Sequence, residues 1–172
     1  ERRQFPPDAG RELQRAALSI TQEAELRPLL EKIIYSAMTV ANASDGSLML
    51  ADEETRELVF IVVRGELGEA LTGYRIKFGE GIAGWVMQNQ QPQIANEPRR
   101  DPRFLTRVDE QFHFTTQNLV AVPMIGRKRV VGVIEAVNKL EGDGFSQADV
   151  DLLMVLANVC AVAIEAMEAE GQ

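Results

Sequence analysis

The segment Val130–Leu153 reads VVGVIEAVNKLEGDGFSQADVDLL and joins a strand pattern to a helix pattern. A run of β-branched residues ends abruptly at Asn138 and Lys139, a glycine-containing turn follows, and a helix begins near Asp149. This pattern places an amide and an ammonium group at the end of a buried strand and a carboxylate after the turn. It can be interpreted in two ways. The groups either fasten the strand end to the helix start or contact a ligand.

Composition limits the classes of protein to which this chain can belong. With 172 residues, of which 45% are hydrophobic, it has the length and apolar content of one folded domain. The formal net charge of −8 argues against nucleic-acid binding, which depends on basic residues. No uninterrupted apolar run is long enough to span a membrane. Cys160 is the single cysteine, which excludes an intramolecular disulfide, and we expect a cytoplasmic protein.

Hydrophobic spacing predicts helices at the start of the chain. A first helix is predicted over residues 9–22, and a second from Leu26 to Val40. Pro28 fits the first turn of this second helix, where a missing N–H is tolerated.

Strands are predicted to follow these helices as two antiparallel hairpins. The segments 47–51 and 57–65 form the first hairpin, and 73–78 is a short third strand. The second hairpin covers 118–139, and Pro123 within it is expected at an edge or bulge, because proline cannot donate to a strand ladder.

The last helix, predicted at about 147–169, is apolar around most of its circumference. Only Asp151, Asn158 and Glu165 form a narrow polar line along it. Such a helix is covered on two sides, and we expect the sheet on one side and a partner helix on the other. Helices that pack against an antiparallel sheet give an α+β fold.

A glycine motif, Gly79-x-Gly81-x-x-Gly84, precedes the predicted helix at 81–90. This spacing is also the dinucleotide fingerprint, but a Rossmann domain needs parallel βαβ units and this chain is built from hairpins. The helix start could offer free N–H groups to an anion, or the turn could serve only to begin the helix.

Catalytic and metal-binding constellations are missing from the sequence. The chain has one histidine, His113, which lies between two phenylalanines, and Cys160 lies on the apolar last helix. Neither a zinc-binding cluster nor a nucleophile motif can be built from these residues. The sequence therefore gives no reason to expect an enzyme or a metal site.

The order of these elements, with GEGIAGWVMQNQ, DPRF and VPM followed by VVGVIEAVNK, resembles a GAF domain over residues 22–168. The resemblance implies a PAS-related, six-stranded antiparallel sheet with the terminal helices on one face and a ligand pocket on the other. It also implies that residues 1–21 form a signalling linker helix and that 169–172 are a short tail, in a piece of a longer protein.

The opening segment is similar to the Asn-Lys-Phe-Asp-Glu signature of cyclic-nucleotide-binding GAF domains. Asn138, Lys139, Phe145 and Asp149 match it, whereas Val150 replaces the final glutamate. The resemblance implies that this set braces the fold near the pocket. Pairing of Lys139 with Asp149 and capping of the helix by a serine agree with that role. Cys160 lies on the wrong helix for a covalently bound bilin, and the cysteines of the family's methionine-sulfoxide reductases are missing.

The resemblance to a GAF domain also implies which residues line the pocket. Glu135 alternates with valines, and a buried charge needs a partner, so it meets either an arginine or a ligand. Packing or loop capping remains the alternative for every candidate. The candidates are Ile82, Ala83, Trp85, Asp101, Arg103, Phe104, Thr115, Thr116, Asn118 and Glu135.

Two functions are consistent with the sequence. The first is a regulatory sensor of a larger signalling protein, which binds a small molecule, with cyclic AMP or cyclic GMP as the candidates. It would signal to an output domain as a homodimer through its terminal helices. The alternative is a ligand-free dimerisation or protein-interaction module.

Overall fold

Five α-helices and six strands make up the part of the chain that the computed structural model describes, which is the backbone of residues 9–170 and the side chains of 25–170. A short 3₁₀ turn covers Pro98–Arg100. The elements in chain order are α1 (Ala9–Ala41), β1 (Ala43–Asp52), β2 (Glu57–Arg64), α2 (Gly68–Leu71), β3 (Arg75–Lys77), α3 (Gly81–Asn89), β4 (Gln93–Ala95), α4 (Thr106–Phe112), β5 (Leu119–Ile125), β6 (Val130–Lys139) and α5 (Gln147–Glu170).

The strands form one six-stranded sheet in the order β3-β2-β1-β6-β5-β4, and every neighbouring pair is antiparallel. Strands β1 and β6 therefore lie at the centre, where Ser47 pairs with Glu135. Strand β4 pairs with β5 only over Leu119–Ala121. Pro123 therefore lies beyond β4, where the outer side of β5 has no neighbouring strand, as expected of a residue with no N–H to donate. The predicted α+β class and the antiparallel sheet are confirmed.

The two faces of the sheet have different coverings. On one face, Leu30 and Ile34 of α1 and Leu153 of α5 pack with Leu48 and Ile134 of the central strands in a continuous core. Because side chains alternate along a strand, the neighbours of these strand residues point to the opposite face. That face is covered by α3, α4 and the connections around them.

Helix α1 differs from the sequence prediction of two separate helices. It is continuous from Ala9 to Ala41, and Pro28 lies in its interior instead of in a first turn. Proline there removes one backbone hydrogen bond and costs about 3 kcal/mol in a helix. Burial of Leu26, Leu30 and Ile34 against the sheet offsets that cost, which local spacing could not indicate.

Helix α5 is long and apolar enough to cross a membrane by length and composition. Its buried residues Leu153, Ala157, Cys160 and Ile164 pack against the sheet, and this packing explains part of the apolar composition. The sequence also predicts a partner helix on the other side of α5, and in the single chain that side is uncovered. An exposed α5 stripe runs along it, made of Leu152, Val155, Val159 and Val162, each more than half exposed.

Lys139 fastens three elements together at the end of β6. Its Nζ donates to both carboxylate oxygens of Asp149, at 2.9 and 2.8 Å, and to the carbonyl of Ala41 at 2.9 Å. Ser146 and Asp149 form a capping box at the start of α5, because each backbone N–H donates to the other's side chain. The opening segment therefore forms the fastener that one interpretation predicts.

Burial tends to raise the pKa of Asp149, but hydrogen bonds from Lys139 and from the Ser146 backbone lower it below its ordinary value. A carboxyl group whose pKa falls on folding stabilises the folded state above its unfolded pKa. That contribution is lost as the pH falls through the folded-state pKa.

We expect Lys139→Met and Asp149→Asn each to lower the free energy of unfolding by about 3 kcal/mol, because each leaves an uncompensated, largely buried group. The double variant should lose less than the sum, with a coupling above about 1 kcal/mol. Urea unfolding at neutral pH measures both. Arg75→Gln, in the more exposed pair with Asp52, is the control and should cost less than about 1 kcal/mol. Additive losses at Lys139 and Asp149 would contradict the fastener.

Candidate functional site

A cavity of about 100 Å³ lies between the second face of the sheet and the layer formed by α3 and α4. Water-sized cavities need roughly 10–15 Å³, so the space can hold several waters or a small molecule. Most of its wall is apolar. Its larger apolar side chains include Phe60, Leu71, Ile76, Phe104, Leu105 and Phe114.

Glu135 is the one carboxylate of this cavity wall that has no partner within residues 25–170. It lies on β6 between Val133 and Val137, on the cavity face of the strand. Within residues 25–170, no cation and no hydrogen-bond donor contacts its carboxylate. Of the two partners that the sequence allows, an arginine is therefore not supplied by this part of the chain.

Burial raises the pKa of Glu135 to about 7 from its ordinary value of 4.5. A carboxyl group whose pKa rises on folding holds its proton more tightly in the folded state. Ionised Glu135 therefore weakens the folded state progressively as the pH rises from about 4.5 through 7. This effect is opposite in sign to that of Asp149.

The other two carboxylates in the cavity wall are occupied by nearby donors. Asp45 accepts hydrogen bonds from the Ser44 hydroxyl and from the backbone N–H of Glu66, the latter at 2.7 Å. Asp109 accepts the backbone N–H and the hydroxyl of Thr116, both at 2.8 Å. Both carboxylates therefore have a structural role that Glu135 lacks.

Helix α4 and the residue before it form a cover over the cavity. Asp109 attaches the helix to Thr116, and Arg107 pairs with Glu80 at the start of α3. Leu105 packs so closely on Gly81 that a Cβ there would lie 2.9 Å from its Cδ1, and Gly81 has a φ of +71°. Glycine is therefore required where the cover meets α3.

The first turn of α3 also lines the cavity, through Gly81, Ile82 and Ala83. The first N–H groups of a helix have no acceptor within it, and the helix dipole is positive there. The N-cap residue, Glu80, supplies no side-chain cap. Both sequence interpretations of the glycine motif, an anion contact and a helix-starting turn, are compatible with this geometry.

Five of the ten candidate pocket residues lie in the cavity wall. They are Ile82, Ala83, Phe104, Thr116 and Glu135.

The other five candidates lie outside the wall and make contacts with each other or with the loops. Arg103 donates to both oxygens of Asp101, at 2.9 and 2.7 Å, and its guanidinium lies 4.7 Å from the Trp85 ring centroid. The carbonyl of Thr115 accepts from the Asn138 amide, and the side-chain oxygen of Asn118 accepts from the backbone N–H of Lys139. These contacts are of the packing and loop-bracing kind.

The signature residues Asn138, Lys139, Phe145 and Asp149 also lie outside the cavity wall. The side-chain amide of Asn138 holds the chain before β5, because it accepts the N–H of Gln117 and donates to the preceding loop. Val150, which replaces the signature glutamate, is buried in the core on the helix face of the sheet. This replacement therefore removes no group from the cavity.

Several wall residues were not among the candidates, including Asp45, Phe60, Leu71 and Asp109. Alternation along β2 is the signal that could have identified Phe60. An irregularity in the β1–β2 register complicates that signal, because Leu48 pairs with Val62 and Met49 with Phe60. For Asp45 and Asp109 the sequence offers no local signal, since long-range packing brings them to the cavity.

Residues 23–165 match a family model described as GAF domain. The chain belongs to the GAF domain family. Among its relatives is the dual 3',5'-cyclic-AMP and -GMP phosphodiesterase 11 of Drosophila melanogaster, 26% identical, with the match covering 84% of this chain and 11% of the relative. The probable 3',5'-cyclic phosphodiesterase pde-5 of Caenorhabditis elegans is 28% identical, over 77% of this chain and 19% of the relative. This GAF domain thus spans less than a fifth of the length of both relatives.

Solved structures confirm the fold. The GAF domain of a phosphoenolpyruvate-protein phosphotransferase from Coxiella burnetii has a TM-score of 0.77 at 23% identity, and the match covers 92% of this chain and 96% of that one. The type II free methionine-R-sulfoxide reductase of Thermoplasma acidophilum has a TM-score of 0.69 at 14% identity, with 85% and 96% covered. At these identities the likeness shows a shared fold alone.

Proposed function

We propose that this GAF domain is the regulatory sensor of a larger signalling protein and binds a small molecule in the cavity that contains Glu135. The observation that carries the proposal is a largely apolar cavity with one carboxylate that has no partner within residues 25–170. Burying such a group costs free energy unless something pairs with it. A ligand that supplies the missing partner recovers that free energy, so the cavity favours an occupied state.

No catalytic role is part of this proposal. Burial raises the pKa of Cys160 to about 12, which leaves its thiol unreactive, and Cys160 packs on the helix face, away from the cavity. His113 is exposed and ends α4 in a left-handed conformation. The relatives are named as cyclic-nucleotide phosphodiesterases, which makes cyclic AMP and cyclic GMP the first ligands to test.

Strand β6 offers a route from the cavity to α5, because it is attached to that helix at both ends. Lys139, at the end of β6, pairs with Asp149 at the start of α5. Arg129, just before β6, donates to both oxygens of Glu168 near the end of α5, each at 2.8 Å. A ligand that displaces Glu135 in the middle of β6 would therefore act on α5 through both attachments.

The turn before β6 adds a further attachment to α5. The Glu165 carboxylate accepts the backbone N–H groups of Arg127 and Lys128, at 3.1 and 3.4 Å. Gly126 leaves room for this contact, since a Cβ there would overlap Glu165. The last turns of α5 are thus held to the sheet by the same hairpin that carries Glu135.

We expect cyclic AMP or cyclic GMP to bind one per chain and to change amide hydrogen exchange along α5, because β6 joins the cavity to that helix. Native mass spectrometry counts the bound nucleotide, and exchange mass spectrometry follows α5. Ala83→Leu, which fills part of the cavity, should abolish both effects, whereas Ala70→Leu on the exposed side of α2 should leave them unchanged. Binding that survives Ala83→Leu, or binding without a change at α5, would contradict the sensor.

The exposed α5 stripe favours a second candidate function, dimerisation of the chain. Its residues follow each other at spacings of three and four, which place them on one helix face, as in a coiled-coil seam. Exposed apolar patches of this kind mark interaction sites. A second copy of the chain, with α5 against α5, is the partner we propose.

Dimerisation through the stripe predicts that Val155→Asp and Val159→Asp each convert a dimer into a monomer, because a carboxylate would be buried without a partner. Size-exclusion chromatography with light scattering at matched concentrations measures the mass. Leu140→Asp is the control, since Leu140 is equally exposed but lies in the turn after β6. A monomeric parent protein, or variants that remain dimeric, would exclude this interface.

A further inference from the structure

The charges around the cavity are unevenly balanced, and this imbalance bears on which ligand fits. Carboxylates reach the wall from three elements: Asp45 from β1, Glu135 from β6 and Asp109 from α4. Arg64 of β2 is the single basic residue in the described wall. The cavity therefore carries an excess of negative charge.

Arg64 does not neutralise Glu135. Its guanidinium lies 5.9 Å from the ring centroid of Tyr35, which is a residue of α1 on the helix face of the sheet. Two further arginines lie near the cavity. Arg99 donates to Asp109 and to the carbonyl of Thr116, and Arg107 pairs with Glu80. Within the described residues, these three arginines are therefore directed to groups other than the Glu135 carboxylate.

We propose that Glu135 anchors a small ligand that presents N–H donors, on a cation or on a neutral amide-like group, from an otherwise apolar body. A carboxylate accepts hydrogen bonds and has no proton to donate, so it selects for donors. A carboxylate on the ligand would instead meet the three carboxylates of the wall, and like charges repel each other. Phe60, Phe104 and Leu71 supply the apolar surface for the body of the ligand.

This proposal takes the cavity to be the ligand site of the sensor, and in that respect it rests on the proposed function. It goes further, because it fixes the hydrogen-bonding and charge class of the ligand. Cyclic nucleotides combine N–H groups with an anionic phosphate, which would have to face the first turn of α3 and not the wall carboxylates. They therefore do not separate ligands that offer N–H donors from ligands that are anionic. Isosteric fragments of opposite charge separate them.

Benzamidine, benzamide and benzoate form such a series, since they share a ring and differ in the charge and donors of one planar group. At pH 8, where Glu135 is largely ionised, we expect benzamidine to bind at least about tenfold more tightly than benzoate, with benzamide between them. Chemical-shift titration of the isotope-labelled domain measures each dissociation constant. Shifts confined to the cavity wall identify the site.

Glu135→Gln tests the anchor directly. It should weaken benzamidine binding by at least about tenfold and bring its affinity close to that of benzamide, because the charged acceptor is lost. Glu141→Gln, a substitution of the same chemistry in the exposed turn after β6, is the matched control and should leave all three affinities unchanged. Backbone spectra of both variants report whether each is folded.

Three results would overturn the anchor role. The first is that benzoate binds as tightly as benzamidine. The second is that Glu135→Gln and Glu141→Gln lose the same amount of benzamidine affinity. The third is that no fragment binds at about 10 mM. Failure of the sensor is a separate result, since fragments that bind at Glu135 without altering hydrogen exchange in α5 would leave the ligand class intact and remove the proposed output.

Discussion

Side-chain alternation along β6 is the constraint on which the rest of the structure depends. Ile134 and Ala136 point into the core beneath α1 and α5, whereas Val133, Glu135 and Val137 point to the cavity. A shift of one residue in register would exchange these two sets. It would place a carboxylate in the main hydrophobic core.

Two ion pairs hold β6 in that register against α5. The pair of Lys139 with Asp149 fixes one end, and the pair of Arg129 with Glu168 fixes the other. The same alternation that builds the helix-facing core thus delivers an acidic side chain to the opposite face. Fold and candidate site are two consequences of one strand.

Much of this could be predicted from the sequence, because it depends on local patterns. Strand-forming segments separated by short polar turns indicated the hairpins. The polar residues at 138 and 139 indicated a strand end tied to a helix start, and Lys139 pairs with Asp149 there. Glu135 stood out because a charge among valines needs a partner. Helix α1 was wrongly divided, because tertiary burial sustains the helix across Pro28.

The cavity wall was harder to predict, since it is assembled from residues far apart in the chain. Trp85 and Arg103 have the composition of a binding site, yet they stack on each other and lie outside the wall. Asp109 reaches the cavity only because α4 folds over it and binds Thr116. Spacing in the sequence contains no information about such contacts.

Members of the GAF family share this fold with few shared residues, so the fold alone does not identify a ligand. In this chain the cavity face carries three carboxylates, of which two accept hydrogen bonds from nearby donors and one has no partner in the described residues. The replacement of the signature glutamate by Val150 lies on the other face and does not alter this set of carboxylates.

The central claim is that the carboxylate of Glu135, a half-buried residue of β6, is uncompensated in the free domain. A ¹³C-detected NMR titration of its carboxyl carbon, with Glu141 as the exposed reference, measures this directly. We expect a midpoint near 7 for Glu135. A midpoint near the ordinary value of 4.5 would show that the carboxylate is hydrated or already paired, and would contradict the proposed ligand anchor.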